Sequence, residues 1–217
     1  MKKLLMIMAL GLSTFALYSQ QPRLSAKEKA QAEKKAEKLA ETYEKEGFKP
    51  YNSSESLYDF LYDFFRYTFA KDDRGHTVYI IPKKHKGSGN TETEALESAL
   101  LKEKKLAVAL INMYFHNFIS SEPILLSEKK EKKLTKAADD TWKYFKNNLD
   151  KIKCVKKYVL IKEEKGKYLA HVYAVFDKKE IFDRYRNKIM DYMITKKKWS
   201  KEKTEKYLPA KWYERIP

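Results

Sequence analysis

Cysteine is almost missing from this sequence: one residue, Cys154, in 217. A lone thiol builds neither an internal disulfide framework nor a multi-cysteine zinc site. Glycine and proline are scarce, six of each, which excludes collagen-like and low-complexity chains. Acid is in deficit, with 30 Asp and Glu against 46 Lys and Arg, a formal charge of +16 at pH 7. No apolar run, the one at the amino terminus included, reaches the length needed to cross a bilayer, about 20 residues. The whole chain is 43% hydrophobic and 14% aromatic, enough to bury one domain's core.

The amino-terminal segment reads as a secretory signal. Lys2 and Lys3 form a positive start, Leu4 to Leu17 an apolar stretch interrupted by Gly11, Ser13 and Thr14, and Thr14-Phe15-Ala16 a small-x-small site. This is a signal peptide rather than a membrane anchor, with cleavage expected between Ala16 and Gln20. The expected organisation is a signal peptide (1–20), a charged N-terminal helix (21–53), an α+β core (54–195) and a basic aromatic tail (196–217). The expected product is exported, periplasmic or outer-membrane-associated, with no transmembrane span. In an oxidising compartment a single thiol belongs inside, so Cys154 is expected as a small buried apolar residue beginning a strand.

Periodicity predicts the elements. Ala32, Ala36, Leu39 and Tyr43 place a narrow apolar stripe on a helix from Ala26 to Glu46, ended by Gly47. Ser53 or Ser54 is expected to cap a second helix running to about Thr68. Thr77 to Ile81 reads as a short strand stopped by Pro82, and Lys83 to Asn90 as a basic, glycine-containing loop. Thr91 with Glu94 forms a capping box for a long helix carrying two apolar stripes, one through Leu96, Leu100, Ala107 and Ile111, the other through Ala99, Leu106, Leu110 and Met113. A further helix is expected after Ser127. Two β-rich runs, Cys154 to Lys162 and Tyr168 to Phe176, flank Glu163-Glu164-Lys165-Gly166-Lys167, a hairpin signal. Asp177 with Glu180 opens the next helix, and Ser200 a last short one. The fold class predicted is α+β: a small sheet of about three strands, with a C-terminal β-hairpin, covered by long helices.

Both faces of the last strand are apolar. Ala170, Val172, Ala174 and Phe176 are expected to take a closely packed helix. Leu169, His171 and Tyr173, with Tyr158 and Leu160 on the neighbouring strand, form a second face that does not alternate to polar as a wet face would. They are candidate partner-face residues, for another protein or a second copy of the chain. Cover by the N-terminal helices is the competing expectation.

The run Glu46-Gly47-Phe48-Lys49-Pro50, then Ser56-Leu57, Thr93-Glu94-Ala95-Leu96, Lys153-Cys154-Val155 and the strand Tyr168 to Phe176 resemble a family of uncharacterised exported envelope proteins of Gram-negative bacteria. The long helix and C-terminal hairpin also resemble the lipoprotein-20-like fold, shared with the N-terminal domain of a flagellar assembly protein. The resemblance spans roughly residues 27 to 195 and implies a fold, with no catalytic residues to carry over. Three features depart from it, the first being a basic aromatic tail particular to this chain. The lipidated cysteine of lipoprotein relatives is missing, and the basic run Lys83 to Lys86 stands where a glycine-rich loop is expected.

Chemistry is sparsely signalled. The histidines His76, His85, His116 and His171 are scattered, and no nucleophile-elbow pattern occurs. No catalytic residue, metal or cofactor is expected. Anion binding is better motivated, because a strongly basic chain concentrates anions around itself. The candidates are Lys83, Lys84 and Lys86 in the loop, and Lys196, Lys197, Lys198, Trp199, Lys211 and Trp212 in the tail, where lysine interleaved with tryptophan suits a phosphate-bearing surface. The expected function is that of a non-catalytic envelope interaction or assembly component contacting an envelope protein, an anionic envelope polymer or a lipid surface. The alternatives are binding of extracellular or single-stranded nucleic acid and a periplasmic hydrolase without a recognisable motif.

Overall fold

The computed structural model describes residues 22–82, 84–121, 127–210 and 212–215; the signal segment, Lys83 and Lys211 lie outside them. None of the described helices is long and apolar enough to cross a membrane. Helix α1 (Ala26–Glu46) opens with a capping box in which the Glu28 N–H donates to Ser25 Oγ and the Ser25 N–H to Glu28 Oε2. It closes on Gly47 at φ 77°, with the Phe48 N–H bonded back to the Tyr43 carbonyl. Strand β1 (Lys49–Pro50) follows, then α2 (Leu57–Phe69). The α2 cap is Ser56, not the expected Ser53 or Ser54: Ser56 Oγ accepts from the Asp59 N–H, whereas Ser53 accepts from Glu55 and forms a turn of its own. Next come β2 (Tyr79–Ile80), β3 (His85–Gly89), α3 (Glu92–Ser121), α4 (Glu128–Lys146), the long strands β4 (Lys156–Glu164) and β5 (Lys167–Asp177), then α5 (Lys178–Lys197) and α6 (Lys201–Tyr207).

The protein is α+β, as expected, but the antiparallel sheet has five strands rather than about three. The strand order is β1–β4–β5–β2, with β3 also pairing on β5. The hairpin β4–β5 is its spine, closed by Lys165 and Gly166 at φ 54° and 72°, the two left-handed residues of a tight hairpin loop. The segment expected as a basic loop is β3, in register from His85 opposite Val172 to Gly89 opposite Tyr168. Its two glycines admit helix α3: a Cβ on Gly87 would lie 2.0 Å from the Ala95 carbonyl oxygen and 2.6 Å from the Ala99 nitrogen.

Accordingly, α3 turns small residues to the sheet. Ala95, Ala99, Glu103 and Ala107 are buried, whereas Met113, expected inward, is 48% exposed. Leucines on that face would hold helix and strand apart. With α4 and α5, this side of the sheet encloses the main core: Ile111, Phe115, Leu134, Phe176, Phe182, Tyr185 and Ile189. On the other face, α1 and α2 pack Ala36, Ala40, Tyr43, Phe60, Leu61 and Phe64 against Tyr158, Leu160, Tyr173 and Val175. The charged N-terminal helix is thus part of the layered body.

The tail does not trail. Trp199, Leu208 and Trp212 all belong to the main core. Trp212 is fully buried and Trp199 5% exposed, so neither ring is a surface anion platform. Lys196, Lys197 and Lys198 lie at the end of α5, where cations suit the exposed carbonyls.

Candidate functional site

The second face of β5 is occupied from within. Tyr173 and His171 are 5% and 2% exposed, and Tyr158 and Leu160 are buried with them under α1 and α2. Leu169 packs partly buried at the rim. This corrects the partner-face reading of Tyr158, Leu160, Leu169, His171 and Tyr173: the alanine stripe of α1 lets that helix lie close and drive Tyr43 into the layer. There the Tyr43 hydroxyl lies 2.6 Å from the Tyr173 hydroxyl and 2.8 Å from His171 Nδ1, and it accepts from Lys84 Nζ at 2.9 Å. The complementary assignment has Tyr43 accepting from Lys84 and Tyr173 and donating its proton to His171 Nδ1. Phe48 stacks on the imidazole with ring centroids 4.4 Å apart. Burial first, then the nearby Lys84, Lys86 and Lys162, lower the His171 pKa to about 4, so it stays neutral. Lys84 is exposed, but its ammonium group is engaged by the buried Tyr43 hydroxyl.

A second buried ionisable group lies on the opposite face. Glu103 is fully buried, with Oε1 3.0 Å from His85 Nδ1 on β3, and Oε2 has no hydrogen-bond partner among the described residues. Burial raises its pKa to about 7, with the His85 hydrogen bond pulling the other way. The native state thus holds this proton to higher pH than the unfolded chain does. Its stabilisation is complete below the ordinary value of 4.5 and is lost as pH rises through 7, in total about 3 kcal/mol. His171 acts oppositely, costing stability as pH falls from 6.5 through 4. Urea unfolding of Glu103→Gln against the parent from pH 4 to 8 is expected to show the parent losing that increment relative to the variant as pH rises. Parallel profiles would refute it.

The remaining sequence candidates do not converge into one site. The Lys86 carbonyl accepts from Lys102 Nζ at 2.7 Å, covering the outer edge of β3. Lys196 lines a 170 Å³ cavity together with Asp140 and Asp191, Lys197 lies over the Tyr192 ring, and Lys198 ends α5 at φ 57°.

A site the sequence did not single out is larger. A cavity of 530 Å³ lies between α3 and the approach to β4, lined by Leu100, Lys104, Asp150, Ile152, Lys153, Cys154, Val155, Lys156 and Lys157. Lys156 is engaged elsewhere, ion-paired with Asp63, which also accepts from the Tyr158 hydroxyl at 2.6 Å. The side chains of Lys104, Lys153 and Lys157 have no hydrogen-bonding or ion-pair partner among the described residues. Cys154 is neither in a strand nor fully buried: it is half-exposed, two residues before β4, on this cavity. No protein-family model, curated protein or solved structure matches this chain.

The signal for the cavity was present in pieces. Lys104 follows Leu100 at helical spacing, and lysines bracket Cys154 in the run to Lys157. The two pieces are far apart in sequence, and only folding joins them. Among the described residues no three His, Cys, Asp or Glu side chains converge to hold a metal ion.

Proposed function

We propose that the protein is a non-catalytic, exported component of the cell envelope, periplasmic or outer-membrane-associated, that engages anionic envelope polymers or lipid through its lysine surface. The observation that carries this reading is the cavity beside α3, where three lysines stand unpaired. Like charges gathered in one hollow repel each other and are neutralised by an anion that enters it. The signal-like amino terminus and the net charge of +16 support the same reading. The nucleic-acid alternative leaned on lysine–tryptophan interleaving in the tail; with Trp199 and Trp212 inside the core, that stacking surface is gone.

Sedimentation with vesicles of purified envelope lipid, repeated across a salt series, tests the proposal. Binding is expected to be strong at low ionic strength and to fall steeply as salt screens the lysines. Absence of binding, or binding indifferent to salt, would overturn it.

A further inference from the structure

We infer that the cavity between α3 and β4 binds the phosphate of an anionic phospholipid headgroup, with the lipid's apolar part resting on the neighbouring lip. This rests on the envelope reading above and gives it a place and a ligand. The lining supplies Lys104, Lys153 and Lys157 as free ammonium groups against one carboxylate, Asp150. Flexible ammonium groups act as movable point charges and suit a phosphate, which accepts several donors at once. The volume of 530 Å³ falls in the ordinary range of ligand sites, about 300–1,000 Å³.

The second observation concerns exposed apolar surface. Four large hydrophobic side chains are exposed among the described residues: Tyr58, Leu101, Met113 and Val155. Val155 lines the cavity itself. Leu101 is 45% exposed and sits three residues before Lys104 on α3, the spacing that makes helix neighbours. Free phosphate would account for the lysines but not for this lip. An amphiphile accounts for both, since interfacial surfaces combine apolar contact with lysine contacts to headgroups. Single-stranded nucleic acid wants an aromatic platform beside its cationic groove. The exposed aromatic, Tyr58, belongs to α2, on the opposite face of the sheet.

Cys154, the chain's single cysteine, reports on the cavity directly. Its alkylation by an uncharged maleimide is followed by mass spectrometry with vesicles of phosphatidylcholine alone, vesicles of equal parts phosphatidylcholine and phosphatidylglycerol, soluble glycerol phosphate, or a single-stranded oligonucleotide. The inference expects protection by the phosphatidylglycerol vesicles alone. It also expects each lysine removed from the cavity to weaken vesicle binding roughly fivefold, so that Lys104→Gln with Lys157→Gln weakens it about twenty-five-fold and abolishes protection. The triple variant Lys196→Gln, Lys197→Gln, Lys198→Gln keeps its protection. Vesicle binding that leaves Cys154 unprotected overturns this site and spares the envelope reading. No vesicle binding at all overturns both. Protection by glycerol phosphate equal to that by vesicles, or stronger protection by the oligonucleotide, overturns the lipid assignment.

Discussion

Trp212→Ala is expected to lower the unfolding free energy by about 4 kcal/mol, within the range for emptying a buried tryptophan site. Trp212 is fully buried. Its ring meets Phe182 with centroids 4.9 Å apart, Phe115 at 5.0 Å in an edge-on arrangement and Phe118 at 5.6 Å. Those partners come from α3 and α5, so the carboxy-terminal turn wedges between two core helices and no single one can collapse into the space. Domains of this kind have only about 5–15 kcal/mol in total, so the loss is a large share. Trp212→Phe is expected to cost clearly less. It keeps an aromatic in place, and it removes an indole N–H that has no partner among the described residues, a burial that itself carries a penalty. Urea unfolding followed by circular dichroism checks both variants. A surface tail would give changes within about 0.5 kcal/mol; that result for Trp212→Ala would contradict the placement of this turn.

Why the tail reads as surface and folds as core is a question of local against global information. Lys196-Lys197-Lys198-Trp199 looks uniformly basic, yet the lysines end a helix while Trp199, one residue on, turns into the core. Elements set by neighbours in sequence were legible: the cap at Asp177, where the side chain accepts from the Glu180 N–H at 2.7 Å, the stop at Gly47, and the hairpin turn at Lys165-Gly166. Elements set by distant partners were not. Strand β1 consists of Lys49 and Pro50, held on β4 opposite Ile161 and Leu160, and proline lacks the N–H that a paired strand uses, so it is tolerated only at an edge. Strand β3 contains two glycines, which carry no strand preference of their own. The alternation of β5 assigned both faces correctly, but nothing in it says that Tyr43, 130 residues earlier, reaches Tyr173. Of the candidate site, the charge was legible and the position was not. The lysines that stand free flank Cys154 and follow Leu100, whereas those in the most conspicuous runs end a helix or, like Lys84, hydrogen-bond a buried tyrosine.

Gly87→Ala is expected to be comparably damaging, costing about 3 kcal/mol or more, through overpacking rather than loss of contacts. The added methyl would lie 2.0 Å from the Ala95 carbonyl oxygen, 2.6 Å from the Ala99 nitrogen and 2.9 Å from Ala99 Cβ. The nearer two of these are helix backbone, which cannot swing aside as a side-chain end can. Strand β3 cannot retreat either, since Gly87 is in register with Ala170 on the central strand β5. One of the two must shift bodily. Shortening Ala99 to glycine in the same chain relieves the Cβ contact and leaves both backbone clashes, so the double variant Gly87→Ala with Ala99→Gly is expected to stay near the single variant rather than recover. Full recovery would place the strain in the side chain and contradict the geometry. The consequence reaches beyond stability, because the seating of α3 on β3 brings Glu103 to His85 and sets Leu100 and Lys104 on the cavity wall. Lifting the helix by even part of a methyl's width gives water access to the Glu103 carboxyl and lets its pKa fall back toward 4.5. Gly87→Ala should therefore flatten the pH dependence of unfolding between pH 4 and 8 that Glu103→Gln also removes. A variant destabilised equally at every pH relative to the parent, with that dependence intact, would mean that α3 yields somewhere else.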